Sequence, residues 1–183
     1  MKEYTPMRHI FPDGLQGLRG RVANMPFAAH NRYWAYDTVY KKNYSFALDE
    51  KKERSLPIGN DSFWLDLLTQ THGWGQILYE QDWLNEEIYN FKPLYTDIHL
   101  GHQWLTSMGQ AANTVGMNLQ YCMSLPRHLL TALEVPRVTQ ASASADYADH
   151  LQGTTQQWAM GMAPFKDVFW STSLQPGSPY KNA

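Results

Sequence analysis

Two groups of acids stand where short apolar runs give out. Gly75 to Leu84 reads GQILYEQDWL, in which Ile77 to Tyr79 is followed at once by Glu80 and Asp82, with Trp83 beside them. In an extended chain alternate side chains share a face, so Leu78, Glu80 and Asp82 point one way and Ile77, Tyr79 and Gln81 the other. One face thus turns from apolar to acidic toward its C-terminal end, the pattern of a strand that delivers acids to a pocket. The second group lies in VTQASASADYADH, residues 138–150, where small residues allow close approach and Asp146 and Asp149 follow. Two acids on different strand ends are the minimum apparatus for glycoside hydrolysis: one protonates the leaving oxygen, and the other attacks or stabilises the anomeric carbon. A separation of about 5 Å between Asp82 and Asp146 suits a retaining mechanism and a longer one an inverting mechanism. The plainer reading makes Asp146 the cap of a helix over about 147–160 and Asp82 the cap of the next loop.

Other residues could complete such a site. His30, Asn31, Arg32, Tyr33 and Trp34 form a polar and aromatic cluster after a short apolar run. His30 and Arg32 could hydrogen-bond sugar hydroxyls, and Trp34 and Trp83 could offer stacking platforms; a polar loop with a half-buried Trp is the alternative. Arg127 and His128, just after Pro126, carry the same two readings. Glu80 beside Asp82 raises the pKa of one of the pair unless a cation such as Arg32 or Arg127 intervenes. Cys122 reads as a small buried hydrophobe. Asp97, His99 and His102 are three possible metal ligands in one helical stretch, but without HExxH or a similar pattern they read as ordinary residues at a helix start. No P-loop, GxGxxG or GxSxG occurs, so phosphate, dinucleotide and serine-hydrolase chemistry have no motif behind them.

The elements that must position these residues alternate. Pro12 to Val22 carries Leu15, Leu18 and Val22 at helical spacing, and Pro26 to His30 is a short strand. Residues 35–58 are polar and punctuated, and predict loop with irregular structure. Asn60 or Asp61 caps a helix through about Thr71, with Phe63, Leu67 and Leu68 on its apolar face. A strand at 76–80 follows, then a helix over about 97–114, a strand at Met117 to Met123 and a short helix at Pro126 to Leu133. Val135 to Gln140 and Phe165 to Trp170 are the last strand candidates. Strand, helix, strand, helix with short links predicts a parallel α/β fold. A full (β/α)8 barrel takes about 250 residues and rarely under 200, so 183 residues with five candidate strands predict a partial barrel or a barrel fragment, as a single α/β domain. The ending SPYKNA, without a terminal helix, points the same way.

Composition narrows the partners. Hydrophobic residues make up 43% and charged residues 17%, a globular balance rather than a disordered one. The 7 Trp, 11 Tyr and 7 Phe suit a sugar-binding cleft and equally an aromatic core. A net charge of -2 with no Lys/Arg stripe gives no case for nucleic acid. The lone cysteine excludes an internal disulfide framework. No apolar run approaches the roughly 20 residues that span a bilayer, and the first residues lack the apolar core of a signal peptide. Sequons at Asn43 and Asn60 decide nothing about compartment. The oligomeric state is not encoded in any of these features.

The order of motifs is informative as a set. FPDGLQGLRGRV, a strand ending in HNRYW, then LYEQDWL, MNLQYCM and SASADY followed by QW resembles the middle of the α-galactosidase (melibiase) clan of glycoside hydrolases, over about residues 10 to 170. In that clan an FPxGL helix precedes the third barrel strand, the fourth ends in an aspartate nucleophile, and an aspartate after the sixth is the acid/base. The resemblance therefore implies Asp82 as nucleophile, Asp146 as acid/base, a carbohydrate substrate, and no metal or organic cofactor. Two positions depart from the pattern. A lysine often stands two residues before the nucleophile, here Glu80, and an arginine four residues before the acid/base, here Ser142. Both basic residues normally hydrogen-bond sugar hydroxyls. Their loss leaves open a different sugar, a non-catalytic carbohydrate-binding protein, or an inactive truncated fragment.

Overall fold

A computed structural model describes residues 1–59, 62–142 and 160–165. After α1 (Gly14–Arg21) come β1 (Phe27–Asn31), β2 (Trp34–Ala35), β3 (Phe46–Leu48) and β4 (Arg54–Pro57). Next are α2 (Ser62–Gly73), β5 (Gln76–Gln81), α3 (Leu84–Asn90), α4 (Lys92–Thr96) and α5 (Leu100–Val115). The chain continues through β6 (Asn118–Tyr121), α6 (Pro126–Ala132), β7 (Val138–Ser142) and β8 (Ala163–Phe165). Strands β1, β5, β6, β7 and β8 form one sheet in that order, every pair parallel. The fold is the parallel α/β type expected, with an open five-stranded sheet among the described residues, as in part of a barrel.

The sheet has two unlike faces. Tyr79 and Leu119 are fully buried register partners, and Tyr121 and Ala141 form a second such pair. Against this face α2 packs Phe63, Trp64, Leu67 and Leu68, and α5 packs Trp104, Leu105, Met108 and Ala112. Gly109 lets α5 approach the turn before β7 closely, since a Cβ there would run into the Val135 side chain. The opposite face carries a polar row in register, His30 to Glu80 to Gln120 to Gln140.

Residues 35–58 hold more structure than their polarity suggests. β2, β4 and β3 make a small antiparallel sheet in that order. Its strands are two to four residues long, too short for alternation to show. What holds the region is an aromatic cluster centred on Phe63. Trp34, Tyr40, Phe46 and Trp64 each meet its ring edge-on with centroids 5.1–5.3 Å away, a geometry that adds to simple burial.

Three other boundaries differ. Residues 84–96, between the expected elements, form α3 and α4, and the long helix starts at Leu100 because Asp97 Oδ1 accepts the N–H groups of His99 and Leu100 and closes the preceding turn. The fourth strand of the main sheet runs to Ser142 rather than stopping at Gln140, and the fifth lies at Ala163–Phe165. The caps expected at Asn60 or Asp61, residues 147–159 of the helix expected over about 147–160 and residues 166–170 of the last strand lie outside the described residues. No described helix is long and apolar enough to cross a membrane.

Candidate functional site

The parallel ladder fixes where the acids stand. Asp82 N donates to Asn31 O at 3.0 Å and Cys122 N to Gln81 O at 2.9 Å, so hydrogen bonding continues one residue past the formal ends of β5 and β6. Asp82 therefore sits at the C-terminal end of β5, between β1 and β6. Open α/β sheets bind ligands beyond their strand ends at this edge. The chain then turns sharply. Trp83, following Asp82, has φ 59°, and Met123, following Cys122, has φ 53°. Left-handed backbone costs a non-glycine residue about 1 kcal/mol or more and is enriched at functional sites.

Asp82 is 8% exposed, and each carboxylate oxygen has its own neighbours. Oδ1 accepts the Trp83 N–H at 2.8 Å. Oδ2 accepts from Arg32 Nε at 3.4 Å and lies 3.9 Å from His30 Nε2. His30 and Arg32 have half-exposed side chains, so the carboxylate is approached from the solvent side by two basic groups. Arg32 also lies over the Trp83 ring, 4.6 Å from its centroid, and Tyr33 flanks that ring at 6.0 Å. Arg54 in turn lies 4.5 Å over Tyr33 and donates to Glu86 O at 3.1 Å. Arg32, Trp83, Tyr33 and Arg54 thus form a stacked rim beside Asp82.

Of the residues singled out from sequence, Glu80, His30, Arg32 and Trp83 come together around Asp82. Glu80 shares its sheet face with His30 in register, and the carboxylates of Glu80 and Asp82 lie within 4.8 Å of one another and of the Cys122 thiol. Arg32 is the cation beside Asp82. Trp34 does not join them. It is 2% exposed and edge-on to Tyr40 and Phe63, with Tyr4 at 6.3 Å, so its ring is spent on the core. The stacking role expected of it is corrected on that ground: β2 turns its side chain inward, and Tyr33 occupies the rim.

Arg127 is also elsewhere. It lines a cleft of about 460 Å3 among α4, α5 and α6 with Tyr95, Asp97, His102 and Thr131. His128 is buried, with Nδ1 accepting the Leu125 N–H at 2.9 Å, and burial, aided by Arg127, lowers its pKa to about 3. His102 Nε2 lies 2.9 Å from Glu134 Oε2. Asp146 and Asp149 lie outside the described residues.

Three glutamines were not picked out beforehand. Gln81 is 2% exposed; its Nε2 donates to Arg32 O at 3.1 Å and Asp82 O at 3.2 Å, tying the end of β1 to the end of β5. Gln140 Nε2 donates to Gln120 Oε1, extending the polar row across β6 and β7. The period-two rule that aligned Leu78, Glu80 and Asp82 also aligns Gln120 with Cys122 and Gln140 with Ser142, and would have found the last two.

No protein-family model matches the chain, and no curated protein matches it. Among solved structures it is similar to a GH27 β-L-arabinopyranosidase from Geobacillus stearothermophilus, with TM-score 0.61 and 13% identity over 91% of this chain and 45% of that one. An α-galactosidase from Thermus thermophilus in complex with stachyose gives TM-score 0.44 at 13% identity, over 84% and 36% of the two chains. The chain spans under half the length of either structure. The first likeness bears on the fold alone, and agrees with a parallel α/β sheet of partial-barrel type.

Proposed function

We propose that the protein is a glycoside hydrolase in which Asp82 attacks or stabilises the anomeric carbon and Asp146 transfers the proton. The observation that carries this is the setting of Asp82: a buried carboxylate at the C-terminal end of an interior strand, with Oδ1 fixed by the backbone and Oδ2 turned toward Arg32 and His30. An acid so held loses little freedom on reaching the reactive geometry. In this reading Glu80, His30, Arg32 and Trp83 shape the sugar subsite. Glu80 is suited to accept sugar hydroxyl protons, Trp83 to present its ring to sugar CH groups, and Arg32 to offset the charge of the two acids. The likeness to the GH27 arabinopyranosidase supports the pyranoside class; Asp146 enters from the sequence pattern alone.

A second reading, a carbohydrate-binding protein without turnover, is favoured by the acid at Glu80 and by Ser142, which is 5% exposed at the end of β7. A panel of nitrophenyl pyranosides separates the two. The hydrolase reading expects release of nitrophenol from at least one pyranoside, and its near-complete loss in Asp146→Asn with the circular dichroism spectrum unchanged. Saturable sugar binding with no release over the panel supports the second reading, and wild-type turnover in Asp146→Asn removes that residue from the mechanism.

A further inference from the structure

The strand ends beside Asp82 bring together donors that hydrolysis alone does not call for. One ligand atom each from Glu80, Asp82 and Cys122 lies within 4.8 Å of the other two. A fourth donor, His30 Nε2, is 3.9 Å from Asp82 Oδ2, and His30 is the register neighbour of Glu80. The four come from three adjacent strands and the residues just past them: His30 from β1, Glu80 from β5 with Asp82 one residue beyond it, and Cys122 one residue beyond β6. We propose that Glu80, Asp82 and Cys122 form a binding site for a divalent cation of the zinc type, which His30, beside Asp82, joins by side-chain rotation.

Geometry and donor chemistry both bear on this. Ligand atoms at zinc distances of 2.0–2.3 Å can be at most about 4.6 Å apart, and stand about 3.3–3.8 Å apart in a tetrahedron. The ligand atoms of Glu80, Asp82 and Cys122 lie within 4.8 Å of one another, so side-chain rotation has to bring them to that range. Asp82 and Cys122 are the fixed part: both are buried, and each is followed by a left-handed residue that turns the chain away. Glu80 and His30 are more exposed and supply the adjustable part and the entry path. A set of one thiolate, one imidazole and two carboxylates suits a borderline ion better than magnesium or calcium, which take oxygen alone.

Asp82 meets Arg32 at 3.4 Å and lies 3.9 Å from a half-exposed His30. An ion at Asp82 Oδ2 competes with Arg32 for that oxygen, while Oδ1 accepts the Trp83 N–H. Arg32 is half exposed and already lies over Trp83, so it can yield the oxygen without leaving its aromatic partner. Since the ion takes the oxygen that the proposed hydrolysis needs, zinc is expected to inhibit turnover. The binding claim itself stands apart from the hydrolase reading.

The test is cobalt titration of chelator-stripped protein, followed by zinc competition. The wild type should bind one equivalent saturably, with a thiolate-to-cobalt charge-transfer band. Cys122→Ser should lose the band, and Glu80→Gln should keep it but weaken zinc binding by more than about tenfold, as loss of a ligand must cost at least what a supporting contact does. Where Cys122→Ser disturbs the buried strand end, Glu80→Gln and His30→Ala decide, because their side chains are more exposed. Absence of saturable cobalt binding by the wild type, or equal zinc affinity in Glu80→Gln and His30→Ala, overturns the proposal. A chain that turns over glycosides and ignores zinc sinks the metal site alone; one that binds zinc and turns over no glycoside leaves it standing.

Discussion

Asp82 is held on one side by backbone and on the other by basic side chains, and this division sets what each neighbour does. The Trp83 N–H on Oδ1 orients the carboxylate, while Arg32 on Oδ2 offsets its charge next to Glu80. Charge-assisted contacts of this kind are worth about 1.5–3 kcal/mol, so Arg32→Met is expected to lower kcat/KM by about 10- to 100-fold. Arg32→Lys should recover part of the loss. Steady-state kinetics of the two variants check this, and equal rates for Arg32→Met and the wild type would remove Arg32 from the site. Most of this cluster was legible from residue types and the two-residue period of a strand. Trp34 was not, because a short polar-looking run conceals which aromatic turns inward. That choice belongs to the cluster around Phe63, which assembles from segments far apart in the chain.

The strands and helices that carry the site were readable where they are long and periodic. β5, β6 and α5 fall near their expected places because alternation and helical spacing survive over their lengths. The three-stranded antiparallel sheet and the short helices α3 and α4 did not show, since two to seven residues hold too few periods. Close packing between elements was equally invisible in sequence. Gly109 reads as a weak point in a helix, yet the helix needs it to lie against Val135. Gly109→Ala should therefore destabilise the protein by about 1–3 kcal/mol through overpacking, despite alanine's better helix propensity. Urea denaturation measures the shift; a more stable alanine variant would show that α5 does not approach Val135 so closely.

At the scale of the molecule, two buried titratable groups set opposite pH windows. Glu87 is 1% exposed, and burial raises its pKa from 4.5 to about 8, opposed by Arg54 and the amino terminus and reinforced by Asp49. Its folded pKa exceeds the unfolded one, so its contribution is fully present below 4.5 and is lost as pH rises through about 8. His128 is the reverse case. Burial, then Arg127, lowers it from 6.5 to about 3, so its contribution is present above 6.5 and lost as pH falls toward 3. Between pH 6.5 and 8 Glu87 acts without His128. Burial also lowers the amino terminus from 8.0, which works the other way in this window in both proteins. Stability of the wild type should therefore fall with pH relative to Glu87→Gln, as read from urea midpoints; equal pH slopes in the two contradict the burial argument. The parallel order β1-β5-β6-β7-β8 leaves Asp82 at the C-terminal end of a strand flanked on both sides. Hydrolysis at that position is the central claim. Its most direct test is turnover of the preferred nitrophenyl pyranoside by Asp82→Asn beside the wild type, at matched circular dichroism. The account predicts a loss of at least about a thousandfold, as for removal of a reacting group. Wild-type turnover in Asp82→Asn would contradict it.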